Sequence, residues 1–149
     1  MMLYECGVRY EKTADNGMTK KVTELYLVDA LSFAEAEGRI TKEMAPYISG
    51  DFDVVTIKRT NYSEIVENDA ASADKWFKAK LVYITIDEKS GKEKKQAVHF
   101  IVHAPDINNA HFCVVEYMAG SMMDYEIATL DETKIMDLFR YKVNTSDNG

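Results

Sequence analysis

Three histidines and a cysteine fall close together in this 149-residue sequence: His99, His103, His111 and Cys113. On a strand, positions 99 and 103 point to one face, while 111 and 113 fall in a helix that follows. Imidazole nitrogen and thiolate sulfur are the ligands zinc prefers, so His99, His103 and His111 are metal candidates. Their spacing fits no standard pattern such as Cys-x2-Cys or a helical His-x3-His. The structural alternative is ordinary packing, since His99 stands where the first half of the chain has Leu25. No metal and no other cofactor is expected.

Nucleophilic chemistry finds little material. Cys6 and Cys113 lie in no context that lowers a thiol pKa, and no Gly-x-Ser-x-Gly elbow occurs. The seven glycines are scattered singly, so no phosphate-cradling loop forms. Asp51 with Asp53, and Asp124 with Glu126, place carboxylates two apart at strand starts. That arrangement suits a divalent ion or, equally, a charged strand edge that resists further pairing. Seven lysines are a third candidate: Lys12, Lys20 and Lys21 in the first half, Lys89, Lys92, Lys94 and Lys95 in the second. They flank two hairpin turns, with Tyr10, Tyr83 and Trp76 on the same or neighbouring strands. Lysines interleaved with aromatic platforms suit single-stranded nucleic acid. The alternative is that they keep exposed hairpins soluble.

The elements that position these residues are organised by self-similarity. Shifted by 74 positions, Gly17, Lys20, Lys21, Val28, Ala30, Ala36, Met44 and Ala45 fall on Gly91, Lys94, Lys95, Val102, Ala104, Ala110, Met118 and Ala119. One residue less in the offset brings Asp51-Phe52-Asp53-Val54 onto Asp124-Tyr125-Glu126-Ile127. Each half reads as strand, turn, strand, helix, strand. Residues 3–13 and 76–87 are rich in Tyr, Val, Ile and Phe, as strands are. Asn16-Gly17 and Ser90-Gly91 mark tight turns, Asn-Gly because both of its residues tolerate positive φ. The returning strands, 20–30 and 94–104, are apolar on both faces at their centres, which predicts central, doubly covered strands.

Helices are predicted after Ser32, the head of a capping box with Glu35, and after Asp106, which follows Pro105. Phe33, Ala36, Ile40, Met44 and Tyr47 form one apolar stripe, and Ile107, Ala110, Val114 and Met118 form its counterpart. Pro46 and Gly120 end the helices. Third strands follow at 52–59 and 125–130, and residues 62–66 and 133–139 are read as a last helical turn. The fold class is therefore α+β: an internal duplication of a β-β-α-β unit, mostly antiparallel sheet with two main helices about a pseudo-two-fold axis. Residues 1–149 are read as a single domain with one shared core. Repeat 1 covers 3–66, a polar linker 67–74, repeat 2 covers 75–139, and the tail 144–149 frays. A half alone, with one helix, would be marginal.

Composition narrows the function classes. Eighteen basic against twenty-five acidic residues give a net charge of −7, the opposite of what a phosphate-neutralising protein usually carries. No run approaches the roughly 18 apolar residues of a membrane helix, and Glu5 and Arg9 interrupt the N-terminus as no signal peptide would. The Asn-x-Ser/Thr triplets at 61–63 and 144–146 are then chance matches. A cytoplasmic location is expected, with no membrane partner.

The run from Lys20 to Glu37, Lys-Lys-Val-Thr-Glu-Leu-Tyr-Leu-Val-Asp-Ala-Leu-Ser-Phe-Ala-Glu-Ala-Glu, resembles a family of proteins of about 150 residues, a domain of unknown function from gut anaerobes and their bacteriophages. Tyr4-Glu5-Cys6, Val8-Arg9-Tyr10-Glu11-Lys12, Ile48-Ser49-Gly50, Asp74-Lys75-Trp76 and Ile135-Met136-Asp137 carry the same resemblance over nearly the whole chain. It implies a cytoplasmic accessory protein of phage or mobile-element origin and brings no active site with it. The expected function is a non-catalytic binding or adaptor module, not an enzyme, with an unknown protein as partner. The alternatives are a nucleic-acid-binding accessory using the hairpin lysines and a small metal-dependent or small-molecule enzyme around the histidines.

Overall fold

The structure, a computed structural model, describes residues 1–141. The tail at 144–149 and the triplet at 144–146 lie outside the described residues. Eight strands and two helices follow one another among those described: β1 (Leu3–Thr13), β2 (Thr19–Asp29), α1 (Phe33–Met44), β3 (Phe52–Arg59), β4 (Tyr62–Val66), β5 (Lys75–Ile86), β6 (Glu93–Ala104), α2 (Ile107–Met118), β7 (Asp124–Glu132) and β8 (Ile135–Phe139). They make an α+β protein with two four-stranded, mostly antiparallel sheets, in the orders β3-β1-β2-β8 and β4-β6-β5-β7.

The long central hairpins carry the sheets. β1 pairs with β2 from Leu3 opposite Asp29 to Thr13 opposite Thr19, and β5 pairs with β6 from Lys75 opposite Ala104 to Ile86 opposite Glu93. Their turns differ from a two-residue Asn-Gly turn. Ala14 closes a five-residue loop on Met18 (2.8 Å), and Gly17 N–H reaches back to the Ala14 carbonyl (2.9 Å). Only Gly17 takes a positive φ, at 82°; Asn16 does not, and its side chain accepts from Met18 N–H instead. This is a type I turn followed by a left-handed glycine, a geometry that also matches the strand twist. In the second hairpin Gly91 also takes a left-handed φ, 67°, but its N–H reaches four residues back to the Asp87 carbonyl, in a loop one residue longer that Asp87 closes on Lys92.

Leu27 and Val28 point to opposite faces of β2 and are both fully buried, and so are Ile101 and Val102 of β6. The central, doubly covered position expected of these runs is observed. Ser32 caps α1 by accepting from Glu35 N–H (3.1 Å), and Asp106 caps α2 by accepting from Asn109 N–H (2.8 Å). Ala36, Ile40 and Met44 bury the middle of the α1 stripe, and Ala110, Val114 and Met118 that of α2. The ends of the stripes depart from expectation: Phe33, Tyr47 and Ile107 are at least half exposed. Phe33 still lies edge-on against Tyr4, at 5.0 Å between ring centroids.

The segments read as last helical turns are strands. Five residues form one helical turn only at the full cost of nucleation, whereas an edge strand satisfies its backbone against a neighbour already in place. β8 pairs in parallel with β2, Tyr26 opposite Asp137, and β4 pairs in parallel with β6, Ile65 opposite Ile101. The consequence is an exchange. β4 follows β3 in sequence yet joins the sheet of β5, β6 and β7, and β8 follows β7 yet joins the sheet of β1, β2 and β3. Two compact units result: Met1–Thr60 with the chain from Ile135, and Asn61–Lys134. Residues 67–74, read as a linker, connect β4 to β5 inside the second unit.

Each unit has its own buried cluster. The first joins Tyr4, Cys6 and Val8 of β1 with Tyr26 and Val28 of β2 and with Ala36, Ile40 and Met44. The second joins Phe77, Ala79 and Leu81 with Phe100, Val102, Ala110, Val114 and Met118. The exchanged strands contribute directly. Val66 is part of the second cluster, and Phe139 packs on the first, stacked on Tyr26 at 5.9 Å.

Ile135, 5% exposed, is the first residue of β8 and lies opposite Leu25. Ile135→Ala is expected to cost about 2–4 kcal/mol in urea unfolding. Native-state hydrogen exchange should accelerate at Tyr26–Val28 of β2 and stay unchanged in β7, the strand adjacent in sequence. Acceleration confined to β7 would contradict the exchange.

Candidate functional site

The structure separates the residues that the metal reading needs together. His99 and His103 share a face of β6 with Ile101, whereas Phe100, Val102 and Ala104 face α2 across the second cluster. His111 is exposed on α2 itself, so the sheet and its core stand between it and the other two. His103 lies flat on Trp76, with ring centroids 4.1 Å apart and planes within 9°, which makes it a packing partner of the β5–β6 pair. His99 stands opposite Lys80, and its pKa falls below the ordinary imidazole value through burial and through Lys78 and Lys80. Among the described residues no group of three His, Cys, Asp or Glu side chains could hold a metal ion.

The seven lysines are exposed along the two hairpins. Lys12 faces Lys20, Glu11 faces Lys21, and Lys94 and Lys95 face Thr85 and Ile84. Carboxylates accompany them: Lys12 Nζ lies 3.6 Å from Glu24, Asp15 is in the first loop, and Asp87, Glu88 and Glu93 surround the second. The aromatic rings are engaged elsewhere. Tyr10 packs on the first buried cluster and donates its hydroxyl to Glu24 (2.6 Å), Tyr83 packs on the second, and Trp76 is buried under His103. Bases stack on open ring faces, and these rings do not provide them beside the lysines.

The carboxylate pair Asp51 and Asp53 lines a cleft of about 540 Å³ beside Arg9, Glu11 and Lys21. Arg9 stands opposite Asp53 and Glu11 opposite Lys21, so charges of both signs face one another across the strands. Asp124 and Glu126 open β7 with Ile84 and Val82 as cross-strand neighbours, and no basic residue faces them.

Sequence reasoning overlooked the outer surface of α2. Beyond its buried stripe the helix exposes Phe112 (61%), Val115 (41%) and Ile107 (50%). At the positions of α1 that correspond to Phe112 and Val115 stand Gly38 and Thr41. The signal was present in the composition: Ile-Asn-Asn-Ala-His-Phe-Cys-Val-Val-Glu-Tyr-Met has more apolar residues than one buried stripe uses.

A family model described as Domain of unknown function (DUF4494) matches residues 2–141, which spans both units. The chain belongs to the DUF4494 family. No curated protein and no solved structure matches it.

The electrostatics of this DUF4494 chain work against thiol and phenol ionisation. Burial, reinforced by Glu5, pushes the Cys6 thiol up to about 11, and burial with Glu116 raises Cys113. Cys113 is further tied into a polar cluster, its Sγ 3.4 Å from Asn109 Oδ1, which also accepts from Asn68 (2.7 Å). Glu24 accepts from Tyr10 and from Tyr26 (3.2 Å). Its hydrogen bond is the main cause that lifts Tyr10 to about 12, while burial comes first for Tyr26, which is raised further. Tyr117, exposed on α2, also rises to about 12 through partial desolvation and its hydrogen bond to Glu64 (2.8 Å).

All these groups keep their proton more tightly in the native state than in the unfolded chain. Between their ordinary and raised values the native state binds more protons, so stability falls as pH rises. The urea midpoint should hold level from about pH 7.5 to about pH 9 and then fall continuously towards pH 12, the window set by Cys6, Tyr10 and Tyr117. Tyr10→Phe should flatten the upper part of that fall; a midpoint level from pH 9 to pH 11.5 would contradict the assignment.

Proposed function

We propose that this DUF4494 protein is a non-catalytic binding or adaptor module whose protein partner docks on the outer face of α2. The observation that carries the reading is the exposure of Phe112 and Val115 on the side of α2 away from its buried Ala110, Val114 and Met118. A large aromatic side chain left in water forgoes about 1.5–3 kcal/mol that burial would return, and contiguous exposed apolar residues mark interaction sites. The residues next to them on that face are Asn108, His111, Glu116 and Ala119, all exposed. An apolar centre with a polar rim is the usual anatomy of a protein–protein contact.

The chemistry of the remaining groups agrees with a binding role. Thiols with raised pKa values are poor nucleophiles at neutral pH, and His103 is held against Trp76. The hairpin lysines support nucleic-acid binding less well, because carboxylates accompany them and the neighbouring rings are occupied. A cytoplasmic, mobile-element setting, implied by the resemblance to proteins of gut anaerobes and their phages, belongs to the same proposal.

Full-length protein in a lysate of its native host should migrate well above its 17.0 kDa mass. Phe112→Glu, at a site already exposed, should leave the melting temperature unchanged and weaken the complex at least tenfold, about 1.4 kcal/mol. A complex indifferent to Phe112→Glu, or turnover of a substrate by the purified chain, would overturn the reading.

A further inference from the structure

We infer that the occupant of the α2 outer face is a second copy of this chain, paired helix to helix in parallel about a two-fold axis. The inference rests on the reading of that face as a docking surface. Asn108, Phe112, Val115 and Ala119 recur at intervals of four, three and four, the 3.5-residue period that keeps a seam facing a partner helix. Phe112 and Val115 are its exposed centre, and the small Ala119 and polar Asn108 close its ends. The buried stripe of Ala110, Val114 and Met118 lies on the other side of the helix, so the seam can be covered without disturbing the core.

The polar groups beside the seam select the partner and its orientation. His111 precedes Phe112 on one flank, and Glu116 follows Val115 on the other; both are exposed. In a two-fold contact each residue meets its counterpart's neighbour reciprocally. When two such helices run parallel, the residue before one seam position faces the residue five places later on the partner. His111 then faces Glu116 of the second copy, and Glu116 faces its His111, which gives two imidazole–carboxylate contacts around a Phe112 and Val115 centre. Running antiparallel about a two-fold at the seam centre, the same helices would hold His111 and the partner's Glu116 on opposite sides of the seam, so neither contact forms. The face is thus self-complementary in one orientation. The corresponding helix α1 has no such centre, since Ala34, Gly38, Thr41 and Ala45 occupy the equivalent positions.

Sedimentation equilibrium of the purified full-length chain is the test. A reversible monomer–dimer equilibrium is expected, weakened about tenfold or more by Phe112→Glu. His111→Glu should weaken it about fivefold by opposing two carboxylates twice per dimer, and Glu116→Lys should act in the same direction. The double variant His111→Glu/Glu116→Lys should restore dimerisation to near the parent value, because it sets a carboxylate against an ammonium on each flank of the parallel seam. A double variant that dimerises no more tightly than either single variant overturns the proposed parallel geometry. A chain that stays monomeric at all concentrations overturns the second-copy assignment. If the complex in lysate still depends on Phe112 in that case, the docking surface stands and a different protein occupies it. A dimer unaffected by Phe112→Glu overturns both.

Discussion

The parallel pairing of two short edge strands with long central ones is the contact on which this architecture depends. β8 on β2 and β4 on β6 are five residues each, yet they decide which parts of the chain belong together. Without them each sheet would be a three-stranded antiparallel arrangement covered by one helix, with the apolar β2 or β6 at its edge. Strands apolar on both faces are poorly suited to an edge, where unpaired donors invite association. The exchanged strand converts β2 and β6 into central strands. It also brings a side chain into each cluster, Phe139 against Tyr26 in one and Val66 in the other.

The crossing points are held in the same way in both units. Thr60 donates its backbone N–H (3.0 Å) and its hydroxyl (2.7 Å) to the Leu3 carbonyl. Thr133 donates the same two groups to the Trp76 carbonyl, both at 2.8 Å. A carbonyl has two lone pairs, so one residue can satisfy both of its acceptor positions and fix the departing chain at the end of the sheet. The connector is then too short to return to its own sheet, and the next strand starts in the other unit. Equivalent register breaks occur in the neighbouring pairs, at Gly7/Val8 against β3 and at Lys80/Leu81 against β7. These shifts fall in the outer antiparallel pairs, while the longer central hairpins pair without interruption.

Much of this was legible in the residues, and the parts that were not share a cause. Period-two and period-3.6 patterning located the long strands and both helices, and the caps at Ser32 and Asp106 are those expected. Local chemistry sufficed there because each element follows its own propensity. The exchanged segments were misread because five residues carry too little periodicity, and their state depends on a partner distant in sequence. The Asn16-Gly17 loop shows a milder form of the same effect. Gly17 takes the left-handed position, while the side chain of Asn16 serves as an acceptor in place of its backbone freedom. For the site, side-chain type alone drew attention to histidines and lysines. The geometry that separates His111 from His99 and occupies Tyr10 with Glu24 exists only once the sheet is formed.

The two helices show where the units diverge. α1 and α2 are both twelve residues long, start from equivalent caps and bury an alanine, a branched aliphatic and a methionine at matching positions. Packing therefore constrains their inner faces alike. Their outer faces are under no such constraint, and there they differ: Glu37, Gly38, Thr41 and Lys42 on α1, His111, Phe112, Val115 and Glu116 on α2. An outer glycine costs helix stability, and an outer phenylalanine carries a solvation cost that the monomer's fold gives no reason to bear. Nothing in the folding of the second unit requires Phe112 in that position, because the core beneath it is filled by Ala110, Val114 and Met118. The inner faces are thus fixed by packing, and the divergence between Gly38 and Phe112 falls where packing leaves the residue free.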